Sequence, residues 1–325
     1  MAELTMVEAI NLALREEMER DERVCLLGED VGVDGGIFRV TKDLIEDFGE
    51  ERVIDTPLAE SGILGFSIGM AMRGLRPVPE MQFSGFSYLG LHQIESHASR
   101  MRWRTQGGLQ VPMVVRMPYG AGVRALEHHS ESREVFYAHM PGLKMVVPSG
   151  PRNARALLRA AIRDPDPVIF FEPKASYRAF REEVPDDDEL AEIGKAVTVQ
   201  KGDDLTLVAY GAMMPRAREA VETLAEDDIT VDLIDLLTLS PLDWPTVTAS
   251  VRRTGRCVVV HEAPLSYGPG AEIAARVMED AFLRLKAPVA RVAGPDVHVP
   301  YFAREQTYLP DCDRILKACR AVIDY

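Results

Sequence analysis

KMVVPSGPRNARALLRAAIRDPDPVIFF, at residues 144–171, places two short apolar runs, 144–147 and 168–171, on either side of a helical pattern at 152–163. Apart from Lys144 the two runs are continuously apolar rather than alternating, which is the signature of strands covered on both faces in a parallel sheet. Outward from this unit the same texture repeats. Strands are expected at 24–27, 78–83 and 113–117, with helices at 89–104 and after Ser130. The first helix starts after Thr5, which forms a T-x-x-E capping box with Glu8, and Met6, Ala9, Ile10, Ala13 and Leu14 recur at helical spacing.

The texture changes at 181–192, REEVPDDDELAE, where almost every residue is charged. Such a stretch reads as a linker. Beyond it the alternation resumes, with strands at 205–210, 231–236, 257–260 and 289–292. The expectation is an α/β chain of two domains with mainly parallel sheets, residues 1–185 and 201–325, joined by an acidic linker at 186–200. A chain of 325 residues that is 46% hydrophobic is long enough for two cores.

The net charge of −14 argues against nucleic acid or an anionic membrane surface as partner, because both are polyanions. No apolar run approaches the ~20 residues that cross a bilayer, and the acid-containing N-terminal helix does not resemble a targeting signal. A cytoplasmic protein is expected. Cys25, Cys257, Cys312 and Cys319 form no CxxC pair, so neither a zinc site nor a disulfide framework is suggested, and buried structural thiols are expected.

Ligands of open parallel sheets gather at the carboxyl ends of strands. Four polar clusters are expected there: Glu29 with Asp30, the stretch DTPLAES at 55–61, QFSGF at 82–86, and EHHSES at 127–132. Glu60 precedes a glycine-rich helix and could cap it or serve a ligand. Gly62, Gly65 and Gly69 on one face of that helix would permit close packing against a neighbour. His128 and His129 cannot both face the same way and lack a third metal ligand nearby, so proton shuttling, anion binding or simple solvation are the readings open to them. No phosphate loop is present: the one candidate, Gly120 and Gly122 in YGAGVR, lacks a third glycine and a following helix.

LGEDVG (27–32), DTPLAESGILG (55–65), GLRPVPEMQF (74–83), EHHSES (127–132), PGLKMVVPS (141–149), AAIRDPDPVIFFEPK (160–174), VHEAP (260–264) and YLPDCDRILKA (308–318) together resemble the β subunits of thiamine-diphosphate-dependent 2-oxo acid dehydrogenases. The resemblance covers essentially the whole chain. It implies two transketolase-like domains, a pyrimidine-binding domain and a C-terminal domain, and an α2β2 heterotetramer serving a lipoyl acyltransferase core. Thiamine diphosphate would be shared with an α subunit that carries the magnesium and diphosphate ligands.

By the same resemblance, Glu60 matches the carboxylate on the aminopyrimidine ring nitrogen. Protonating that nitrogen lets the exocyclic amine remove the thiazolium C2 proton. Phe86 matches the aromatic that stacks on the ring, and Leu58 and Gln82 match further cofactor contacts. Glu29 resembles a carboxylate of an acidic channel between active sites, although His92 and Leu89 depart from the acidic residues that many relatives carry in it. His129 matches a histidine of acyl transfer to the lipoyl group, with His128 at the same mouth. Ala161, Asp164 and Asp166, with carbonyls near Val111 and Met113, match a loop that holds potassium in several relatives. FFEPK (170–174) and SYR (176–178) stand closer to branched-chain relatives, while other stretches are equally pyruvate-type. The expected substrate is therefore a branched-chain 2-oxo acid or pyruvate; an acetoin dehydrogenase subunit and a noncatalytic scaffold subunit are the alternatives.

Overall fold

The computed structural model describes residues 1–325, which form two compact units. The first contains Met1–Tyr119 and Phe136–Ile193, and the second Gly120–Val135 and Gly194–Tyr325. Each has its own sheet and core.

In the first unit, β1 (Val24–Gly28), β2 (Val53–Asp55), β3 (Arg76–Glu80), β4 (Val114–Tyr119), β5 (Lys144–Val146) and β6 (Val168–Pro173) run parallel in the order β5-β6-β4-β3-β1-β2. β1, β4 and β6 are buried along their whole length, as expected of largely apolar strands covered on both faces. Helix α1 (Met6–Arg20) packs on α3 (Pro151–Arg163), and α2 (Glu60–Met72) follows β2. The capping box at Thr5 and Glu8 forms as expected, with the Thr5 N–H donating to Glu8 Oε2 at 2.7 Å.

The helix expected at 89–104 is broken into short turns: a 3₁₀ turn at Phe86–Gly90, a π turn at Ile94–Ala98 and an α-helical turn at Met101–Arg104. Hydrogen bonds from the Ser99 N–H to the Ile94 carbonyl and from Ser99 Oγ to the Glu95 carbonyl take the place of a continuous ladder.

The sheet interior contains charge. Arg116, on β4, donates to Glu80 Oε2 on β3 at 2.6 Å and to both oxygens of Glu172 on β6, at 2.7 and 3.0 Å. Tyr177 O–H completes the set on Glu172 at 2.5 Å. A second buried cluster joins α1 to α3, where Glu17 accepts from Arg159 and Arg163. Burial opposes ionisation of Glu17, yet the hydrogen bonds from Arg163 and Arg20 hold its carboxyl below the usual range.

The charged stretch after residue 181 is structured rather than loose. Glu182–Val184 pairs antiparallel with Ala2–Leu4, and Arg155 and Arg159 donate to the Asp187 carbonyl. The net acidity of this stretch is thus met by the arginine face of α3.

In the second unit, β7 (Val197–Gln200), β8 (Leu205–Ala209), β9 (Val231–Asp235), β10 (Cys257–Pro264) and β11 (Ala290–Gly294) take the order β11-β10-β8-β9-β7. All pairs are parallel except β9 with β7. β7 falls in the stretch assigned to the linker. Its short Val-Thr-Val pattern is largely exposed, as suits an edge strand, and gave no buried run to read. Cys25, Cys257 and Cys319 are free and buried, and burial pushes the Cys257 thiol up to about 12.

The segment Gly120–Val135 belongs to this second unit although the first surrounds it in sequence. At its end Glu134 is fully buried. Its Oε1 accepts from the Tyr210 hydroxyl at 3.2 Å, while Oε2 has no partner. Burial, with the Glu262 charge adding to it, raises its carboxyl to about 8.

Two consequences can be measured. Arg116→Met leaves two carboxylates buried without their cation and is expected to cost about 3–5 kcal/mol of stability, read from the urea midpoint; an unchanged midpoint would mean that the pair is neutralised in another way. Glu134 keeps its proton in the folded state where an unfolded chain has already lost it. Stability is therefore lost as pH rises from the ordinary glutamate range through about 8, with a slope of up to ~1.4 kcal/mol per pH unit, and then levels off. Glu134→Gln should flatten that slope, and equal pH profiles for the two proteins would refute the assignment.

Candidate active site

β3, β1 and β2 are adjacent parallel strands, and the chain leaves each at its carboxyl end into one of the polar clusters. Glu29 follows directly after β1. Glu60 opens α2, after β2. Gln82 and Phe86 follow β3. The topology therefore brings these four residues, separate in sequence, to one edge of the first unit.

Glu60 is the first residue of α2, with Ala59 at the cap position, and no side chain caps the helix. Its carboxylate thus stands at the positive end of the helix without being used as a cap. Glu60 is 6% exposed. Gly90 lets the 86–90 turn approach this helix, since a Cβ there would lie 2.3 Å from Leu64 Cδ1 and 3.2 Å from the Glu60 carbonyl oxygen. This close approach places the turn carrying Phe86 against the helix carrying Glu60.

Glu29 is 8% exposed, and its Oε1 is buried without a hydrogen-bond partner. Burial, then the charges of Glu60 and Asp30, raise its carboxyl above the ordinary range. A buried acceptor left open beside a second carboxylate is costly unless a donor completes it. Gln82 donates to Asp30 Oδ2 at 2.8 Å, and Asp55 accepts the N–H groups of Gly32 and Val33 at 2.6 and 3.0 Å, so the loop after Glu29 is held from two sides. Phe86 is half-buried, edge-on to Phe83 with ring centroids 5.5 Å apart. Leu58 is 77% exposed.

On the same unit, Gly62 and Gly69 of α2 are exposed, together with Phe66 on that helix. His92 is exposed and its ring meets that of His97 edge-on at 5.3 Å; Leu89 is exposed as well.

His128 and His129 lie on the 3₁₀ turn Glu127–His129 of the second unit. Their rings are 85° apart with centroids 6.3 Å from each other, so they face different ways, as adjacent residues in a tight turn must. His128 is exposed, with Nδ1 4.0 Å from Glu131 Oε2, and His129 is half-buried. The Ser130 hydroxyl donates to the Leu126 carbonyl at 2.9 Å and closes the turn.

At the 161–166 loop, Asp164 accepts from Lys144 Nζ at 2.7 and 2.8 Å, and Asp166 from Arg102 Nε at 2.5 Å. The Asp164 carbonyl accepts from Arg76 at 3.2 Å, and those of Ala161, Val111 and Met113 accept backbone N–H groups. The loop's oxygens are already engaged by cations and amides.

The sequence reading missed the buried glutamates of the second unit, Glu134, Glu262 and Glu305. Glu262 follows an apolar strand in VHEAP, where an acid at a strand end is the signal that could have found it; the other two sit in stretches without periodicity.

Comparison with known families and proteins agrees with this architecture. The model described as the transketolase pyrimidine binding domain matches residues 2–179, and that of the transketolase C-terminal domain matches residues 194–315. The pyruvate dehydrogenase E1 component subunit beta of Acholeplasma laidlawii is 48% identical over 315 residues, covering 97% of this chain and 96% of that one. The protein of that name from Bacillus subtilis is 45% identical over the full length of both chains. A solved structure described as a split gene transketolase, inactive beta4 tetramer, superposes with a TM-score of 0.81 over 99% of both chains; at 21% identity it speaks for the fold alone. No helix is long and apolar enough to cross a membrane. With both domain models matched in order and relatives aligned end to end, this chain belongs to the transketolase-like, thiamine-dependent 2-oxo acid dehydrogenase β subunits.

Proposed function

We propose that this chain is the β subunit of a pyruvate dehydrogenase, active only when an α subunit completes the site. The observation that carries the reading is the buried Glu60 at the start of α2, beside the open Oε1 of Glu29. The expectation from FFEPK and SYR of a branched-chain substrate gives way here to pyruvate, because the full-length relatives carry that name.

The residues fit the pyrimidine half of thiamine diphosphate. Glu60 would meet a ring nitrogen, Phe86 would offer a flat apolar face, and Leu58 and Gln82 would border it. When bound, the cofactor supplies the carbon nucleophile and electron sink for decarboxylation. Glu60 holds and returns a proton at the ring nitrogen, a task that needs a carboxyl group and not merely a polar one. Its magnesium and diphosphate ligands belong, in this reading, to the α subunit, in an α2β2 assembly.

His129 is assigned to acyl transfer. The acyl group goes to one sulfur of a lipoyl disulfide on the acyltransferase core, and the other sulfur, released as the S–S bond opens, takes a proton that an imidazole can deliver near neutral pH. His128 would line the same mouth. A potassium ion at the 161–166 loop would be structural: Lys144 and Arg102 already neutralise Asp164 and Asp166, so the ion takes no part in the chemistry. Glu29 is proposed as the proton-holding neighbour of Glu60.

The test is co-expression with candidate α subunits, followed by assay of pyruvate and 2-oxoisovalerate decarboxylation with an artificial electron acceptor. Turnover should require both chains and favour pyruvate; preference for 2-oxoisovalerate would restore the branched-chain assignment. Glu60→Gln should lower this turnover by roughly 10²–10⁴ with heterotetramer assembly intact, whereas a scaffold subunit would be indifferent to the change. His129→Ala should spare the artificial-acceptor reaction and cut lipoyl acylation by about 10² or more; equal loss in both assays would remove His129 from acyl transfer.

A further inference from the structure

The loop YGAGVR has an occupant. Gly120, Gly122 and Arg124 adopt φ values of +86°, +97° and +58°, a run of left-handed backbone that turns successive N–H groups toward a common point. Such a concavity binds anions. Here the anion is a side chain of the same unit: the Gly122 N–H donates to Glu305 Oε1 at 2.9 Å, and the Arg124 N–H donates to Oε2 at 2.9 Å and to Oε1 at 3.1 Å. Both carboxylate oxygens are used, and Glu305 is 1% exposed.

The cradle opens the segment that carries His128 and His129. The other end of that segment is tied by Ser132 Oγ donating to Glu262 Oε1 at 2.7 Å and by the Tyr210 hydroxyl on Glu134. The Gly120 N–H closes the segment on itself by donating to the Glu131 carbonyl at 3.1 Å. Between these ties the histidine turn is closed by hydrogen bonds from the His129 N–H to the Leu126 carbonyl at 3.0 Å and from the Ser130 N–H to the Glu127 carbonyl at 3.0 Å, and the Tyr301 hydroxyl, four residues before Glu305, donates to the Glu127 carboxylate. The anchors at its two ends, with the Tyr301 contact between them, therefore share in setting where the turn presents its rings.

We propose that Glu305 is a positioning residue for His129: its carboxylate is the built-in anion of the 120–124 cradle and fixes the entry of the histidine segment. The proposal rests on the reading of His129 as the acyl-transfer group. A neutral amide of the same size cannot replace it, because its NH₂ would face N–H groups that have nothing else to donate to.

The assembled α/β protein tests this with Glu305→Gln and Glu305→Ala. Expected for both is a roughly tenfold or greater rise in amide exchange of peptides covering 120–129, and faster tryptic cleavage after Arg124. Lipoyl acylation should fall at least about tenfold, while artificial-acceptor turnover and the KM for pyruvate stay within about twofold. Formate, but not chloride at equal ionic strength, should restore both acylation and protection in Glu305→Ala, which a general loss of packing would not allow. Unchanged exchange at 120–129, or equal loss of both partial reactions, would overturn the proposal. Should Glu305→Gln fail to assemble, Glu305→Asp, which keeps the charge, must show exchange between parent and Glu305→Ala; parent-like exchange there and in Glu305→Ala would also overturn it. If instead His129→Ala leaves acylation intact, the assignment of His129 fails, and the exchange data still decide the role of Glu305.

Discussion

A guanidinium shared by two carboxylates in the middle of a parallel sheet constrains the first unit more than any apolar contact does. Arg116 joins three neighbouring strands, and its partners Glu80 and Glu172 stand at or near the ends of β3 and β6. An apolar core can slide by a fraction of an ångström at little cost. A buried charge with a bidentate partner on one side and a second partner on the other cannot, because each displacement leaves a desolvated charge unpaired. The register of β3, β4 and β6 is thereby pinned close to the edge from which Gln82 emerges. The placing of the polar groups at that edge depends on strands that do not slip.

Carboxylates serve this chain in three different ways. Glu17, Glu80 and Glu172 are paired with arginines. Asp55 and Glu305 accept backbone N–H groups and fix loops. Glu134 is held protonated by burial, and Glu29 is pushed in that direction. Only the last kind is suited to moving protons, since a carboxyl group tied to arginine gives its charge up reluctantly. The separation of paired acids from those held toward the protonated form thus follows from what each one touches.

Much of the fold could be read from periodicity, because parallel strands buried on both faces leave continuous apolar runs such as 168–171, and helices such as α1 carry their cap residues in the chain. What escaped the reading obeyed other forces. Edge strand β7 is largely exposed and has no such run. The 89–104 helix is interrupted by a side chain, Ser99, competing for backbone carbonyls, which a pattern of apolar residues does not register. The ion pairs of Asp187 and Asp188 turn an apparently solvated stretch into a bound one, and only the arginines of a distant helix could have revealed it. Arg116 was visible in principle, as a single charge inside MVVRM with acids in the neighbouring runs VPE and FFEP. The positions of Glu60, Gln82 and Phe86 at one sheet edge follow from strand order, whereas the membership of the histidine segment in the second unit depends on Glu305 and Glu262, far along the chain.

Two places where this chain could cradle an anion hold one of its own carboxylates. Helix α2 begins with Glu60, and the left-handed run at 120–124 closes on Glu305. A diphosphate brought to either would meet a negative charge where it needs N–H groups or cations, and at a few ångströms that repulsion outweighs what one or two backbone donors return. The chain also offers no glycine-rich phosphate loop between a strand and a helix. In the proposed reading, a cofactor with an aromatic ring at one end and a diphosphate at the other meets this chain through the ring, and its charged end is met by cations of a second kind of subunit.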